Sequence, residues 1–168
     1  MEFTGQILSM VAMTTIILSF QCKSNKKLIA AMTVGAFLFA TSYFLLGSYV
    51  SAVLNLLSLG ANLMCLKESL KTKLSFGAIL VVFATATFFT FESWWSVVLM
   101  VAQLSGIFAM MFGNGKTIRN VRFFFVSPIW LINNIFMVFS LGGMLCEIFT
   151  MASVVVSFIR FRKTGFEK

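Results

Sequence analysis

Chemistry in this sequence rests on a few polar side chains placed within long apolar runs. They are a carboxylate, three amides and an indole: Glu147, Asn55, Asn133, Asn134 and Trp130. Such groups are costly in hydrocarbon, so they tend to line a cavity or a contact between helices. A carboxylate among amides can bind a polar or cationic solute or exchange a proton. It does not provide a nucleophile paired with a base.

The composition excludes most enzymes and soluble proteins. Of 168 residues, 60% are hydrophobic and only 11% are charged, there is no His, and the three Cys form no CxxC pair. His is the commonest general base and metal ligand, so we expect no enzyme activity, no metal and no cofactor. The net charge of +8 lies in clusters between apolar segments, which argues against a nucleic-acid partner. The lipid bilayer is the expected partner, and a homo-oligomer stays open.

Seven apolar segments are long enough to cross a bilayer as helices, which takes about 17 to 25 residues. They are residues 3–20, 28–46, 50–66, 74–91, 95–112, 123–139 and 144–159. The connections at 47–49 and 140–143 contain Gly and predict tight turns between antiparallel helices. We therefore expect an all-α membrane protein with one integral membrane domain over residues 1–168.

The basic residues predict the orientation of this domain. All Lys and Arg residues fall in four clusters, at 23–27, 67–73, 116–122 and 160–168. Seven spans place all four clusters on one side, and cationic loops stay in the cytoplasm. The N-terminus is thus predicted outside and the C-terminus in the cytoplasm.

An internal repeat is predicted from the spacing of the spans. Shifting the chain by 92 residues aligns spans 1–3 with spans 5–7 without a gap. This indicates two parallel three-helix repeats, 3–66 and 95–159, joined by a linker helix at 74–91. Three spans and a linker return the chain to its starting side, so the two repeats of this 3-1-3 arrangement are parallel, as some transporter repeats are.

Short segments of the chain resemble a known family. They are residues 45–49, 52–55, 130–134 and 158–162, and the Gly142-Gly143 pair with Glu147. In these segments the chain resembles the YgjV family of bacterial inner-membrane proteins, which is more distantly similar to the SWEET and PQ-loop transporters. The resemblance implies a multi-pass protein of the bacterial inner membrane that holds a small solute between two bundles. The sequence departs from the PQ-loop pattern because its single proline, Pro128, is followed by Ile129.

The candidate solute site combines residues from three spans. Its members are Asn55 and Ser58 in span 3, Trp130, Asn133 and Asn134 in span 6, and Glu147 in span 7. Ser51, Asn55, Ser58 and Asn62 are spaced four, three and four residues apart, which puts them on one helical face. The leading interpretation is a small-solute transporter of the SWEET-like kind. The alternative is a non-transporting membrane scaffold or interaction subunit, in which these polar groups only pack helices.

Two interpretations of Glu147 follow from its position in the sequence. The predicted spans contain no Lys or Arg, so amides, hydroxyls and water are the expected partners of its carboxylate. In the alternative interpretation Glu147 is a hydrated anchor at a helix start, where the helix dipole favours an anion.

Overall fold

The computed structural model describes residues 2–67, 70–162 and 165. In these parts of the chain it has seven helices and no strand. The helices are α1 (Glu2–Ser19), α2 (Asn25–Leu45), α3 (Tyr49–Cys65), α4 (Lys73–Phe89), α5 (Trp94–Phe112), α6 (Gly115–Val138) and α7 (Leu141–Phe161). Lys163 and Lys168 of the fourth basic cluster lie outside the described residues.

Four helices are long and apolar enough to cross a membrane: α2, α5, α6 and α7. The apolar segments of α1, α3 and α4 are shorter, and α3 and α4 have 17 residues each. At 1.5 Å per residue, 17 residues rise about 25 Å, which is at the lower limit for a span. The count of seven spans and the outside position of the N-terminus stay predictions.

Six helices form a ring in which each contacts its neighbours. The main contacts run from α1 to α2, α3, α5, α6 and α7 in turn, and α7 returns to α1. Helix α4 packs against α3 and α5 through one face that contains Ile79, Phe83 and Thr87. The ring places the first and last helices side by side and leaves α4 at its periphery. The internal repeat stays a prediction, because a ring by itself does not establish symmetry.

The seam between α1 and α7 is closed by small residues and hydrogen bonds. Gly142 lies so close to the backbone at Ser9 that a Cβ atom would not fit. Gln21 Nε2 donates to Ser153 Oγ at 2.7 Å. Gln6 donates to the carbonyl of Phe139 and accepts from the amide of Leu141, both at 3.0 Å. These contacts hold the two ends of the ring together.

Helix α6 begins earlier than the sequence predicted, at Gly115 instead of residue 123. Asn114 Oδ1 accepts hydrogen bonds from the amides of Lys116 and Thr117, which starts the helix there because these amides have no partner within the helix. The third basic cluster is therefore on a helix and not in a loop. Two π-helical turns, Arg122–Val126 and Asn134–Val138, flank the segment Ser127–Asn133.

Helix α7 also begins earlier than predicted, at Leu141 instead of residue 144. Ser140 caps it by accepting from the amide of Gly143, and the connection from α6 is only Phe139 and Ser140. The two glycines assigned to the turn, Gly142 and Gly143, therefore lie inside the helix. The predicted turn after α2 does need its glycine, since Gly47 has a φ of +79°.

Candidate functional site

A cavity lies in the middle of the ring, and we call it the central cavity. Its polar lining is Tyr43, Asn55, Ser58, Asn62, Gln103, Arg122, Trp130 and Glu147. Its volume of about 50 Å³ has room for a few water molecules, each of which needs about 10–15 Å³. Apolar side chains such as Met32 and Ile118 complete the wall. Four predicted site residues, Asn55, Ser58, Trp130 and Glu147, are thus brought together.

An ion pair in the wall of the central cavity joins α6 to α7. Arg122 Nη2 donates to Glu147 Oε1 at 2.7 Å, with the two side chains 14% and 7% exposed. The expectation that Glu147 has no cationic partner was wrong, because it depended on placing Arg122 in a loop. Arg122 lies inside α6, and its long side chain reaches Glu147 on the neighbouring α7. Glu147 is thus buried, and Arg122 is partly exposed beside it.

A relay of hydrogen bonds connects three helices along one wall of the central cavity. Trp130 Nε1 donates to Gln103 Oε1 at 3.0 Å. Gln103 Nε2 donates to Ser58 Oγ at 2.5 Å. The relay joins α6 to α5 and α5 to α3, and it fixes the plane of the buried Trp130 indole. Trp130 presents this indole to the cavity in a defined orientation.

Tyr43 from α2 stacks on the Trp130 ring system. The two rings stack with centroids 5.8 Å apart, and Tyr43 also stacks on Phe39 at 5.5 Å. The Tyr43 hydroxyl donates to Asn134 Oδ1 at 2.8 Å. Asn134 is fully buried and does not line the central cavity. Its position suits it to hold Tyr43 in place.

A second cavity of about 130 Å³ lies toward the end of the ring that carries the α2–α3 turn. Its polar lining includes Ser48, Ser51, Glu92, Trp95 and Asn133. Successive turns of the same helices line the two cavities, which are therefore stacked along the ring. On α3 the pair is Ser51 and Asn55, on α5 Leu99 and Gln103, and on α6 Asn133 and Trp130.

A layer of hydrogen bonds lies where the second cavity approaches the central one. Trp95 Nε1 donates to Asn133 Oδ1 at 3.2 Å, and Asn133 Nδ2 donates to Ser51 Oγ at 3.2 Å. We call these three residues the Asn133 layer. It joins α5, α6 and α3. Asn133 therefore belongs to this layer and not to the central cavity.

The opposite end of the ring is held by Arg119, which is fully buried. Its guanidinium donates to the carbonyls of Phe20 and Cys22 after α1, and to Ser157 Oγ on α7. A fourth hydrogen bond goes to the carbonyl of Gly115. From the sequence, Arg119 was recognised only as part of the basic cluster at 116–122. In the structure it ties α1, α6 and α7 together.

Sequence reasoning missed Tyr43, Gln103 and Arg122 as members of the site. Gln103 had a signal, since a primary amide in the middle of an apolar span is costly unless it is hydrogen-bonded. Arg122 was hidden by the misplaced start of α6. Tyr43 gave no signal, because an aromatic residue in a span is ordinary. Among the described residues, no cluster of three or more His, Cys, Asp or Glu could hold a metal ion.

A ring of apolar helices around a polar cavity is the architecture of a polytopic helical membrane protein. More specifically, the chain belongs to the YgjV family of bacterial inner membrane proteins, whose family model matches residues 3–165. It is therefore a protein of the bacterial inner membrane, as the sequence resemblance implied. Comparisons with curated proteins and with solved structures gave no match.

Proposed function

We propose that this protein carries a small polar solute across the inner membrane and binds it in the central cavity. The observation that carries the proposal is the Arg122–Glu147 ion pair, which lines a cavity. Burying two charges costs several kcal/mol each, and apolar residues often stabilise a helix contact better. A pair that only joined helices would gain nothing from an adjacent cavity, whereas a binding site needs charged groups that a solute can reach.

The two stacked cavities suit alternating access. The Asn133 layer lies between the two cavities. Arg119 holds the helices together at the opposite end of the ring. Arg119 and Asn133 are both on α6. One π-helical turn of α6, Arg122–Val126, lies between these two residues, and the other, Asn134–Val138, directly follows Asn133. Such turns are frequent at functional sites, since they leave backbone groups imperfectly paired. Loosening the Asn133 layer would join the cavities, and loosening Arg119 would open the opposite end.

The small volume of the central cavity fits a form closed at both ends. About 50 Å³ is below the range of roughly 300–1,000 Å³ that is usual for ligand pockets. In this proposal Asn55, Ser58 and Trp130 bind the solute together with the ion pair. Helices α1–α3 and α5–α7 act as two parallel bundles with α4 as connector, the bilayer is the partner, and no bond of the solute is changed.

Uptake into proteoliposomes tests the proposal. The purified full-length protein is reconstituted and assayed with radiolabelled sugars, amino acids and amines against protein-free liposomes. We expect at least one class to accumulate, and Glu147→Gln to reduce its uptake at least tenfold. Lys116→Gln, an exposed position on the same helix as Arg122, is the matched control and should transport normally.

Two results would count against transport. A folded protein that takes up nothing from the panel would favour the non-transporting scaffold or interaction subunit. Unchanged uptake in Glu147→Gln would remove the ion pair from the mechanism and would leave it a structural link between α6 and α7.

A further inference from the structure

The charges in the central cavity balance. Of the described residues that line it, Arg122 and Glu147 are the two that carry a charge. They lie 2.7 Å apart and are largely buried. In such surroundings a charge that loses its partner is strongly destabilising. Any solute that enters must therefore leave both side chains compensated.

The ion pair has unused hydrogen-bonding capacity. It is formed by Nη2 of Arg122 and Oε1 of Glu147, whereas pairs of arginine and carboxylate are frequently bidentate. Within the described residues, Arg122 Nε and Glu147 Oε2 are buried without a well-formed hydrogen bond, although Ser127 lies close to the carboxylate. Asn62 Oδ1, in the same cavity wall, also has no hydrogen-bond partner there. Each member of the ion pair thus has a polar atom that lacks a hydrogen-bond partner in the described residues.

Solutes of different charge differ in whether they leave Arg122 or Glu147 without a partner. A solute with one charge would pair with Arg122 or Glu147 and leave the other side chain unpaired. A neutral polyol would meet an ion pair that is already formed and would gain hydrogen bonds alone. A solute that carries a carboxylate and an ammonium group can engage both side chains at once, so every charge stays paired.

The aromatic wall of the central cavity is rigid. Trp130 and Tyr43 line the cavity and stack on each other at 5.8 Å, and Tyr43 also stacks on Phe39. This stack limits the space beside the ion pair. The small volume of the cavity favours a solute with few heavy atoms.

We infer that the central cavity selects small zwitterionic solutes of the α-amino acid type. The carboxylate of the solute accepts hydrogen bonds from Arg122, and its ammonium group donates to Glu147 in place of the guanidinium. The inference concerns the ligand class and rests on the proposed function only for the passage of that ligand across the membrane.

Binding to the full-length protein in lipid nanodiscs tests this ligand class. Four probes are titrated. Alanine carries a positive and a negative charge, propionate only the negative one and propylamine only the positive one. Glucose is larger and carries no charge. Tryptophan fluorescence reports binding because Trp130 lines the cavity. We expect alanine to bind the natural protein at least tenfold more tightly than each of the other three.

Neutralising either charged residue of the ion pair should change which probe binds most tightly, and should not abolish binding. Glu147→Gln leaves Arg122 unpaired, so propionate should bind at least tenfold more tightly than alanine. Arg122→Gln leaves Glu147 unpaired, so propylamine should become the preferred probe. Lys116→Gln should keep the natural order. A merely structural role of the pair would weaken all four probes alike, so the exchange is diagnostic.

Three results would overturn the inference. The first is tighter binding of glucose than of alanine by the natural protein, and the second is no binding of any probe. The third is an equal loss for all four probes in Glu147→Gln. If the single variants do not fold, the exchanged pair Arg122→Glu with Glu147→Arg keeps both charges, and failure of its folded form to bind alanine also overturns the inference. Alanine binding without uptake would instead contradict only the proposed transport.

Discussion

Arg119 provides a direct test of how the ring is held together. Its buried guanidinium donates to the carbonyls of Phe20 and Cys22 at 3.2 and 2.9 Å, and to Ser157 Oγ at 3.0 Å. Arg119→Met keeps an unbranched apolar stem as far as the position of Nε and removes these donors. We expect the end of α1 to separate from α6 and α7, with a lower free energy of unfolding.

The size of the loss follows from these hydrogen bonds. A hydrogen bond to a charged group contributes about 1.5–3 kcal/mol, so three bonds between helices contribute together about 4.5–9 kcal/mol. Two effects offset part of this, because the released carbonyls at a helix end can bind water and the charge no longer has to be buried. We therefore expect a net loss of about 3 kcal/mol. Arg119→Lys should lose about half as much, since an ammonium cannot reproduce the planar guanidinium fork.

Equilibrium unfolding in mixed micelles with increasing SDS measures this loss. Lys116→Met is the matched control, because it removes a cation one turn earlier on the same helix from an exposed position. It should change the unfolding free energy by less than about 0.5 kcal/mol. A change this small in Arg119→Met would refute the role of Arg119 in joining the helices.

Two glycines give further predictions, both measured by the same unfolding titration. Gly142→Val should lower the free energy of unfolding by at least about 2 kcal/mol, the usual cost of overpacking, because the added Cβ would meet the backbone at Ser9. A stability equal to that of the natural protein would show that α1 and α7 are not in close contact. Gly47→Ala should cost about 1 kcal/mol because the φ of +79° places a Cβ in the strained left-handed region. A Cβ added at Gly60 would meet no atom of the described residues within 4 Å, so Gly60→Ala is the control for both and should be neutral or stabilising. Equal effects of Gly47→Ala and Gly60→Ala would contradict the assigned turn.

The polar face of α3 was predictable from spacing alone. Ser51, Asn55, Ser58 and Asn62 are all buried, since intervals of four, three and four residues return to the same side of a helix. The depth of each residue was not predictable. Ser51 lies in the Asn133 layer and Asn55 in the central cavity, and that division depends on where α5 and α6 pack against α3.

The boundaries of α6 and α7 limited the rest of the prediction. Hydropathy assigns charged residues to loops, so Arg122 was separated from the helix that positions it. Capping by Asn114 and Ser140, which extends both helices, is a local hydrogen-bond effect that a window of mean hydropathy does not detect. The neighbours Asn133 and Asn134 could be separated only by the structure, which gives one to Trp95 and the other to Tyr43.

Closure of the ring has a consequence for biogenesis. The hydrogen bond between Gln21 and Ser153 joins residues 132 positions apart in the chain. The contact between α1 and α7 can therefore form only after the last helix has been synthesised. Arg122 likewise precedes Glu147 by 25 residues, a delay of about 1 to 5 s at synthesis rates of roughly 5–20 residues per second. During that interval the guanidinium has no carboxylate partner, and the hydrocarbon interior is unfavourable for it. We therefore expect α6 to reach its final depth only when α7 emerges, so that the two helices enter the bilayer as a hairpin.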